Sequence, residues 1–186
     1  MLDWVASEKD KYDRIWRDKG GSYGASSPEK IFLNSRIPEV AFLDRRPWLV
    51  VGSGDGQGFR WLAAKGFDVL ACDISDALAG TYPKESFECC PAHDMPYGNG
   101  YFGTVLCIDV IEHIPPEFVV PSLEEMKRVC CGSIYVQARC AESVFEPGLH
   151  LTVEGHNWWR DTFASIGPVV WSLREPLDES AEITCL

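Results

Sequence analysis

The sequence predicts an α/β sandwich built on a mostly parallel β-sheet. From residue 47 onward, short apolar runs alternate with amphipathic segments, which is typical of a sheet covered by helices. A glycine-rich turn at residues 52–58 joins the first apolar run to the first amphipathic segment. Because ligands of such folds bind beyond the carboxyl ends of the strands, the turn also predicts where a binding site lies.

The predicted elements alternate along the chain between strands and helices. Strands are expected at 48–51, 68–73, 86–90, 103–108 and 133–137, and helices at 57–65, 75–79, 116–129 and 157–166. Two more strands, 168–173 and 181–185, are expected to complete a seven-stranded sheet as a terminal antiparallel hairpin.

Residues 1–46 are predicted to form a helical cap or lid segment beside the main domain, 47–186. Ser26 and Glu29 fit a capping box for a helix that begins there. The glycine- and serine-rich residues 20–27 have the composition of a mobile lid that excludes water once a ligand is bound.

The composition is that of a globular protein with an acidic surface. The 186 residues suffice for one domain with a substantial core. Lysine and arginine total 17 against 28 acidic residues, and the net charge of −11 opposes long-range attraction of nucleic acid. The sequence has no apolar run of about 18 residues and no basic segment followed by an apolar one at its start. We therefore expect a cytoplasmic monomer or homodimer without a nucleic-acid or membrane partner.

The eight cysteines carry no metal-ligand spacing. None belongs to a C-x-x-C pair, so neither a zinc ribbon nor a thioredoxin-like site is supported, and no metal site is expected. Cysteines in apolar runs, such as Cys72 and Cys107, are expected to be buried, inert thiols. The adjacent pairs 89–90 and 130–131 leave a redox role open.

The glycines of the turn alternate, at positions 52, 54, 56 and 58. Glycine permits unusual backbone angles and leaves room for a ligand to lie against the main chain. A G-x-G-x-x-G dinucleotide fingerprint needs glycine at 57 or 59, where this chain has Gln57 and Phe59. The turn therefore indicates a bound ligand but disfavours a nicotinamide cofactor.

Two acidic residues follow the turn at the ends of later strands. Asp73 ends the second strand, where a carboxylate can accept hydrogen bonds from both ribose hydroxyls of an adenosine, or instead cap the segment at Ser75. Asp94 follows the third strand and is placed to accept from an adenine amino group while Met95 covers the ring.

These features, with the run 105–114 and its pair Glu112–His113, resemble the class I S-adenosylmethionine-dependent methyltransferases of small-molecule type. The resemblance extends from residue 47 to the end of the sequence. It implies a Rossmann-like three-layer sandwich, with S-adenosylmethionine as cofactor and S-adenosylhomocysteine as product.

The resemblance also implies roles for residues of the predicted site. Gly52 and Gly54 would line the methionine portion, Asp73 would hold the ribose, Asp94 and Met95 would contact adenine, and the backbone near Ile108 and Asp109 would face the methionine amino group. The expected cofactor-binding set also includes Ser53, Asp55, Gly56 and Ile74.

One position departs from the family pattern. The family usually has an acidic residue two positions before the first glycine of the turn, and this chain has Val50. Asp55 and Asp109 are candidates to replace the missing carboxylate, which normally orients the methionine ammonium group.

The acceptor site is expected over the carboxyl edge of the sheet. Its candidate residues are Tyr12, Trp16, Tyr23, His113, Arg139, His150, His156 and Trp158. Three of them, His113, His150 and His156, are candidate general bases or acceptor contacts because histidine titrates near neutral pH. The alternative for His113 is a structural role, in which it makes an orienting hydrogen bond. The alternative for His150 and His156 is a role as loop or cap residues. Tyr12 and Trp16 are expected either to cover the cofactor or to dock their helix.

The predicted function is methylation of a small molecule or glycan. Oxygen is preferred over nitrogen as the acceptor because histidines cluster in the candidate acceptor loops. A non-catalytic regulatory protein that binds S-adenosylmethionine is the alternative, and Val50 keeps it open. A nicotinamide-dependent oxidoreductase is disfavoured by Gln57, and a methyltransferase of proteins or nucleic acids by the lack of a basic tract.

Overall fold

A computed structural model describes residues 3–18, 46–143, 147–167, 169–172 and 180–185. Its seven strands form one sheet in the order β3-β2-β1-β4-β5-β7-β6. The strands from β3 to β5 in this order are parallel, whereas β7 is antiparallel to both β5 and β6. The predicted α/β fold with a parallel sheet is confirmed.

The helices and strands have the following bounds. The strands are β1 Trp48–Val51, β2 Val69–Asp73, β3 Phe87–Cys89, β4 Phe102–Ile108, β5 Cys130–Arg139, β6 Val169–Ser172 and β7 Ser180–Cys185. The α-helices are α1 Asp3–Asp18, α2 Gln57–Ala64, α3 Pro116–Val129 and α4 His156–Ala164, and two short 3-10 helices lie at Ala79–Thr81 and Ile111–His113. Within the described parts of the chain, none of the helices combines the length and apolar character needed to cross a membrane.

The sheet separates two apolar cores, as the alternation of side chains along β1 requires. Leu49 and Val51 belong to the core covered by α3 and α4, in which Met126 and Trp159 are fully buried. Trp48 and Val50 face the other core, which α2 covers. Both faces of β1 are therefore buried, which explains its uninterrupted apolar sequence.

The segment after β2 differs from the prediction. Residues 75–79 were expected to form a helix, but the only helical turn there is Ala79–Thr81. The Asp73 carboxylate accepts the N–H of Ser75, and the Ser75 hydroxyl accepts the N–H of Ala77. These side chains compete with helical hydrogen bonding and hold the segment as a turn.

Helix α1 is fastened to this turn by polar contacts. The Ser75 hydroxyl donates to Asp13 Oδ1 at 2.5 Å, and Lys9 bridges Asp13 and Asp76 at 3.0 and 2.8 Å. Asp13 is only 7% exposed, so its bond to Ser75 lies inside the contact. The predicted helix after Ser26 and the predicted lid at 20–27 lie outside the described residues.

The β4–β5 pairing contains an irregularity at which two glycines meet. The register shifts between Phe102 and Thr104, and a Cβ added to Gly132 would lie 2.2 Å from the carbonyl oxygen of Gly103. The strands approach so closely at this point that no side chain fits at position 132.

We predict that Gly132→Ala lowers the free energy of unfolding by about 1–3 kcal/mol, because the added methyl group forces two backbones apart. Gly98→Ala is the matched control, since a Cβ at Gly98 meets nothing within 4 Å. Chemical denaturation of both variants checks this, and equal stability of the two would contradict it.

Candidate functional site

A cavity lies at the carboxyl ends of the parallel strands, beneath α1. It encloses about 910 Å³, part of which is open to solvent. Its lining comes from α1, the turn after β1 and the segments that follow β2, β3 and β4. Eleven predicted site residues line it, namely Tyr12, Trp16, Gly52, Ser53, Gly54, Asp55, Asp73, Ile74, Ile108, Asp109 and His113.

The glycine turn has a backbone that residues with side chains rarely adopt. Gly52, Gly54 and Gly56 have φ angles of 65°, 49° and 75°. A Cβ on Gly52 would also lie 2.3 Å from a methyl group of Val110. Position 52 therefore requires glycine for two reasons, the positive φ angle of its backbone and the lack of space beside Val110. Because it has no side chain, its main chain forms part of the cavity wall. Gly56 itself is outside the lining.

The Asp73 carboxylate joins the glycine turn to the end of β2. Its Oδ2 accepts the N–H of Gly54 and its Oδ1 accepts the N–H of Ser75, both at 2.9 Å. Burial raises the pKa of Asp73, and the two N–H groups oppose that shift. The capping contact is thus present, and it leaves lone pairs on the same oxygens for the predicted ribose contact, because each carboxylate oxygen can accept from more than one donor.

The lining of the cavity is acidic. Glu8, Asp55, Asp73 and Asp109 line it, and its described lining contains no lysine or arginine. Such a cavity favours a ligand that carries positive charge.

One face of α1 covers the cavity. Trp4, Glu8, Tyr12 and Trp16 line it at a regular spacing of four residues, which places them along one side of a helix. Only Tyr12 and Trp16 were predicted here. The same spacing, followed back towards the start of the helix, was the signal that would have identified Trp4 and Glu8.

The segment after β3 differs from the prediction. Asp94 is exposed, and Met95 is buried with its sulfur 3.9 Å from the Cys72 sulfur, so neither lines the cavity. The lining is formed instead by Cys90, Pro91 and Ala92. The N–H of Met95 donates to Glu125, which turns the chain away from the cavity after Ala92.

The predicted histidines occupy three different environments. His113 lines the cavity, and the buried His150 packs against it with ring centroids 4.7 Å apart. His156 is exposed at the first position of α4 and does not reach the cavity. Burial, together with His150, lowers the pKa of His113 to about 4, so its imidazole is neutral at pH 7.

Glu112 was missed as a functional candidate, although the Glu112–His113 pair was noted in the sequence. Its side chain is fully buried beside His113. Burial and the Asp109 carboxylate raise the pKa of Glu112 well above its usual value.

The remaining predicted residues contribute less directly. Val50 is buried in the core under α2 and supplies no carboxylate. Arg139 donates to Asp109 at 2.6 Å, and Trp158 packs against the core without lining the cavity. Tyr23 lies outside the described residues.

A family model of the methyltransferase domain matches residues 49–133, which include the glycine turn, Asp73 and Glu112–His113. The matched stretch runs from β1 to the start of β5 and is just under half of the 186 residues. Over this stretch the chain is similar to a methyltransferase domain.

Two solved structures share this methyltransferase fold. The 1,6-didemethyltoxoflavin-N1-methyltransferase of Burkholderia thailandensis, bound to 1,6-didemethyltoxoflavin and S-adenosylhomocysteine, is 15% identical with a TM-score of 0.75. That comparison covers 98% of this chain and 88% of the other. The 4+2 cyclase SpnF is 18% identical with a TM-score of 0.59, over 70% of this chain and 54% of the other. At these identities the likeness concerns the fold alone.

A curated relative matches at the sequence level. An uncharacterized protein of Methanocaldococcus jannaschii is 29% identical over 102 residues, which are 54% of this chain. The match covers 44% of that protein, so the chain spans less than half of the relative's length.

We predict that Gly52→Ala weakens binding of S-adenosylhomocysteine by at least about tenfold, because the methyl group collides with Val110 at the cavity wall. Gly66→Ala is the matched control, since Gly66 has a φ of 82° but open space around it. It should lose about 1–2 kcal/mol of stability through backbone strain and keep its affinity. Calorimetric titration of both variants with S-adenosylhomocysteine tests this prediction, and equal affinities of the two variants would contradict it.

Proposed function

We propose that this chain transfers the methyl group of S-adenosylmethionine to an oxygen atom of a small molecule or glycan. The observation that carries the proposal is the Asp73 carboxylate, which lies beside an open glycine turn in a cavity lined by acids. S-adenosylmethionine carries a sulfonium and an ammonium group, and both suit a cavity of this charge.

The cofactor would lie along the strand ends. The ribose hydroxyls would donate to the Asp73 oxygens, and the methionine portion would lie on the main chain of Gly52 and Gly54. Asp55 and Asp109 line the cavity and are the candidate acids for the ammonium group in place of a carboxylate at Val50, in addition to the bonds that they accept from Gln57 and Arg139. Adenine would lie along Cys90–Ala92 rather than against Asp94 and Met95, because only the former line the cavity.

The acceptor would enter between the cofactor and α1. Trp4 and Tyr12 offer flat apolar surfaces, and His113 offers a neutral imidazole. In the reaction an acceptor oxygen attacks the methyl carbon, the carbon–sulfur bond breaks with its electrons going to sulfur, and the hydroxyl proton passes to a base. We propose that His113 is the base that accepts this proton, and that His150, which packs against it, holds its ring in place. His156 has no part in this assignment because it lies on the surface.

The proposal includes the division of the chain at residue 46, with residues 1–46 as a cap. The position of α1 over the cavity supports it, as does the Asp13–Ser75 bond that holds the helix there. A cap of this kind leaves space for a compact acceptor. We also propose a cytoplasmic location, in keeping with the reduced state of seven described cysteines, and a monomer or homodimer.

A non-catalytic protein that binds S-adenosylmethionine is the second candidate. Val50 favours it, because the family's usual carboxylate is missing there. The likeness to a cyclase adds only that this fold is not confined to methyl transfer.

We predict that Asp73→Ala weakens S-adenosylmethionine binding by about 1–3 kcal/mol, or about 5- to 150-fold, because the ribose hydroxyls lose their acceptor. Asp73→Asn keeps the shape of the side chain and should weaken binding in the same direction. Asp68→Ala is the control, since Asp68 is exposed just before the opposite end of β2. Calorimetry on the three variants checks this, and unchanged affinity in both Asp73 variants would refute the ribose assignment.

We predict that the wild-type chain forms S-adenosylhomocysteine from S-adenosylmethionine when it is given a panel of hydroxylated small molecules and sugars. Transfer of a radiolabelled methyl group to an ether product would identify oxygen as the acceptor. Tight cofactor binding without turnover on hydroxyl or amine acceptors would favour the regulatory candidate instead.

A further inference from the structure

Three side chains beyond the carboxyl end of β4 bring metal-ligand atoms together. Glu112 and His113 belong to the 3-10 helix after β4, and His150 belongs to the loop before α4. One ligand atom from each residue lies within 4.8 Å of the other two. His113 also lines the cavity, so the cluster forms part of its wall.

Each of the three side chains bonds the backbone through one polar atom. Glu112 Oε1 accepts the N–H of Arg139, and the Nδ1 atoms of His113 and His150 donate to backbone carbonyl oxygens at 3.1 and 2.5 Å. A carbonyl oxygen only accepts, so the Nδ1 atom of each ring carries a proton, and Nε2 is the ring nitrogen left to bind an ion. Histidines that bind metals are oriented in this way, by a hydrogen bond from the nitrogen that does not coordinate.

The loop that carries His150 is held in place by Glu112 itself. The N–H groups of Leu151 and Thr152 both donate to the Glu112 carbonyl oxygen at 2.9 Å, and the Thr152 hydroxyl donates to Ile114. The third side chain is therefore fixed to the same turn as the first two. Ligands supported by such a network are arranged before the ion binds.

The Glu112 carboxyl has an unsatisfied atom. Its side chain is 0% exposed, and no donor among the residues that the structure describes reaches Oε2. The carboxyl of Asp109 lies beside it, and the two can share a hydrogen bond only when one of them is protonated. Buried polar atoms are nearly always paired, because an unpaired one costs free energy. A cation held by Oε2 and the two imidazoles would supply the partner.

We propose that Glu112, His113 and His150 bind a divalent transition-metal ion of the zinc type at the wall of the cavity. Two imidazoles and one carboxylate are donors that zinc accepts, and zinc with three protein ligands keeps a fourth position for water or substrate. Two ligands of a tetrahedral zinc ion lie roughly 3.4 Å apart, so small side-chain movements complete the set. The proposal goes beyond methyl transfer, and in a chain with the ion bound it replaces the role of His113 as base, because the ion and the acceptor proton would use the same Nε2 lone pair.

The test is a titration of the metal-free, full-length chain with Co²⁺, a coloured substitute for zinc, followed by displacement with Zn²⁺. We expect one ion per chain, with visible bands of nitrogen and oxygen ligation and no thiolate-to-cobalt charge-transfer band. Glu112→Gln and His150→Ala should each weaken binding by more than about tenfold. His156→Ala is the control, because His156 is an exposed histidine outside the cluster.

Each outcome decides the proposal. Absence of Co²⁺ binding, equal binding by His150→Ala and His156→Ala, or a thiolate charge-transfer band would overturn it. Should His150→Ala fail to fold, Glu112→Gln decides, because it preserves the shape of the buried side chain. The cobalt titrations contain no S-adenosylmethionine, so they report on the metal site alone. Cofactor binding is measured separately, by titration of the same variants with S-adenosylhomocysteine, and the two failures can therefore be distinguished.

Discussion

The Asp73 carboxylate is the contact on which the arrangement of the site depends. Parallel pairing of β1 with β2 places Val51 beside Cys72, so the residues that follow each strand emerge at the same edge of the sheet. Asp73 then binds the N–H of Gly54 on one side and that of Ser75 on the other. Ser75 in turn holds Asp13 of α1. One buried carboxylate thus positions the glycine turn, the turn after β2 and, through it, the helix that covers the cavity.

The end of β4 organises the opposite side of the cavity in a similar way. Glu112 uses its carbonyl oxygen and its carboxylate to bind the backbone at Leu151, Thr152 and Arg139. This brings the end of β5 and the loop before α4 to the strand end that carries His113. The glycine-turn side of the cavity depends on the carboxylate of Asp73, and the side that carries His113 depends on the main chain around Glu112, so the two sides can be altered separately.

Sequence patterns predicted the features that depend on neighbouring residues. The glycine turn and Asp73 follow buried strands directly, and that local pattern was enough to place them at the sheet edge. Asp94 and Met95 lie outside the cavity lining, where a tertiary contact from the Met95 N–H to Glu125 holds the chain, and no local pattern encodes that contact. The packing of His150 on His113 depends on how a distant loop docks, which no local spacing encodes. Cysteine spacing is a local pattern, and it predicts no metal site in this chain. The proposed metal site instead combines Glu112 and His113 with a histidine from a distant loop, so no local pattern could predict it.

The most direct test of the cofactor site is a crystal structure of the chain with S-adenosylhomocysteine. We expect the ribose hydroxyls within hydrogen-bond distance of the Asp73 carboxylate, the homocysteine portion on the main chain of Gly52 and Gly54, and the sulfur facing the side of the cavity formed by His113 and α1. A ligand bound elsewhere, or one bound in this cavity with its ribose away from Asp73, would contradict the site described above.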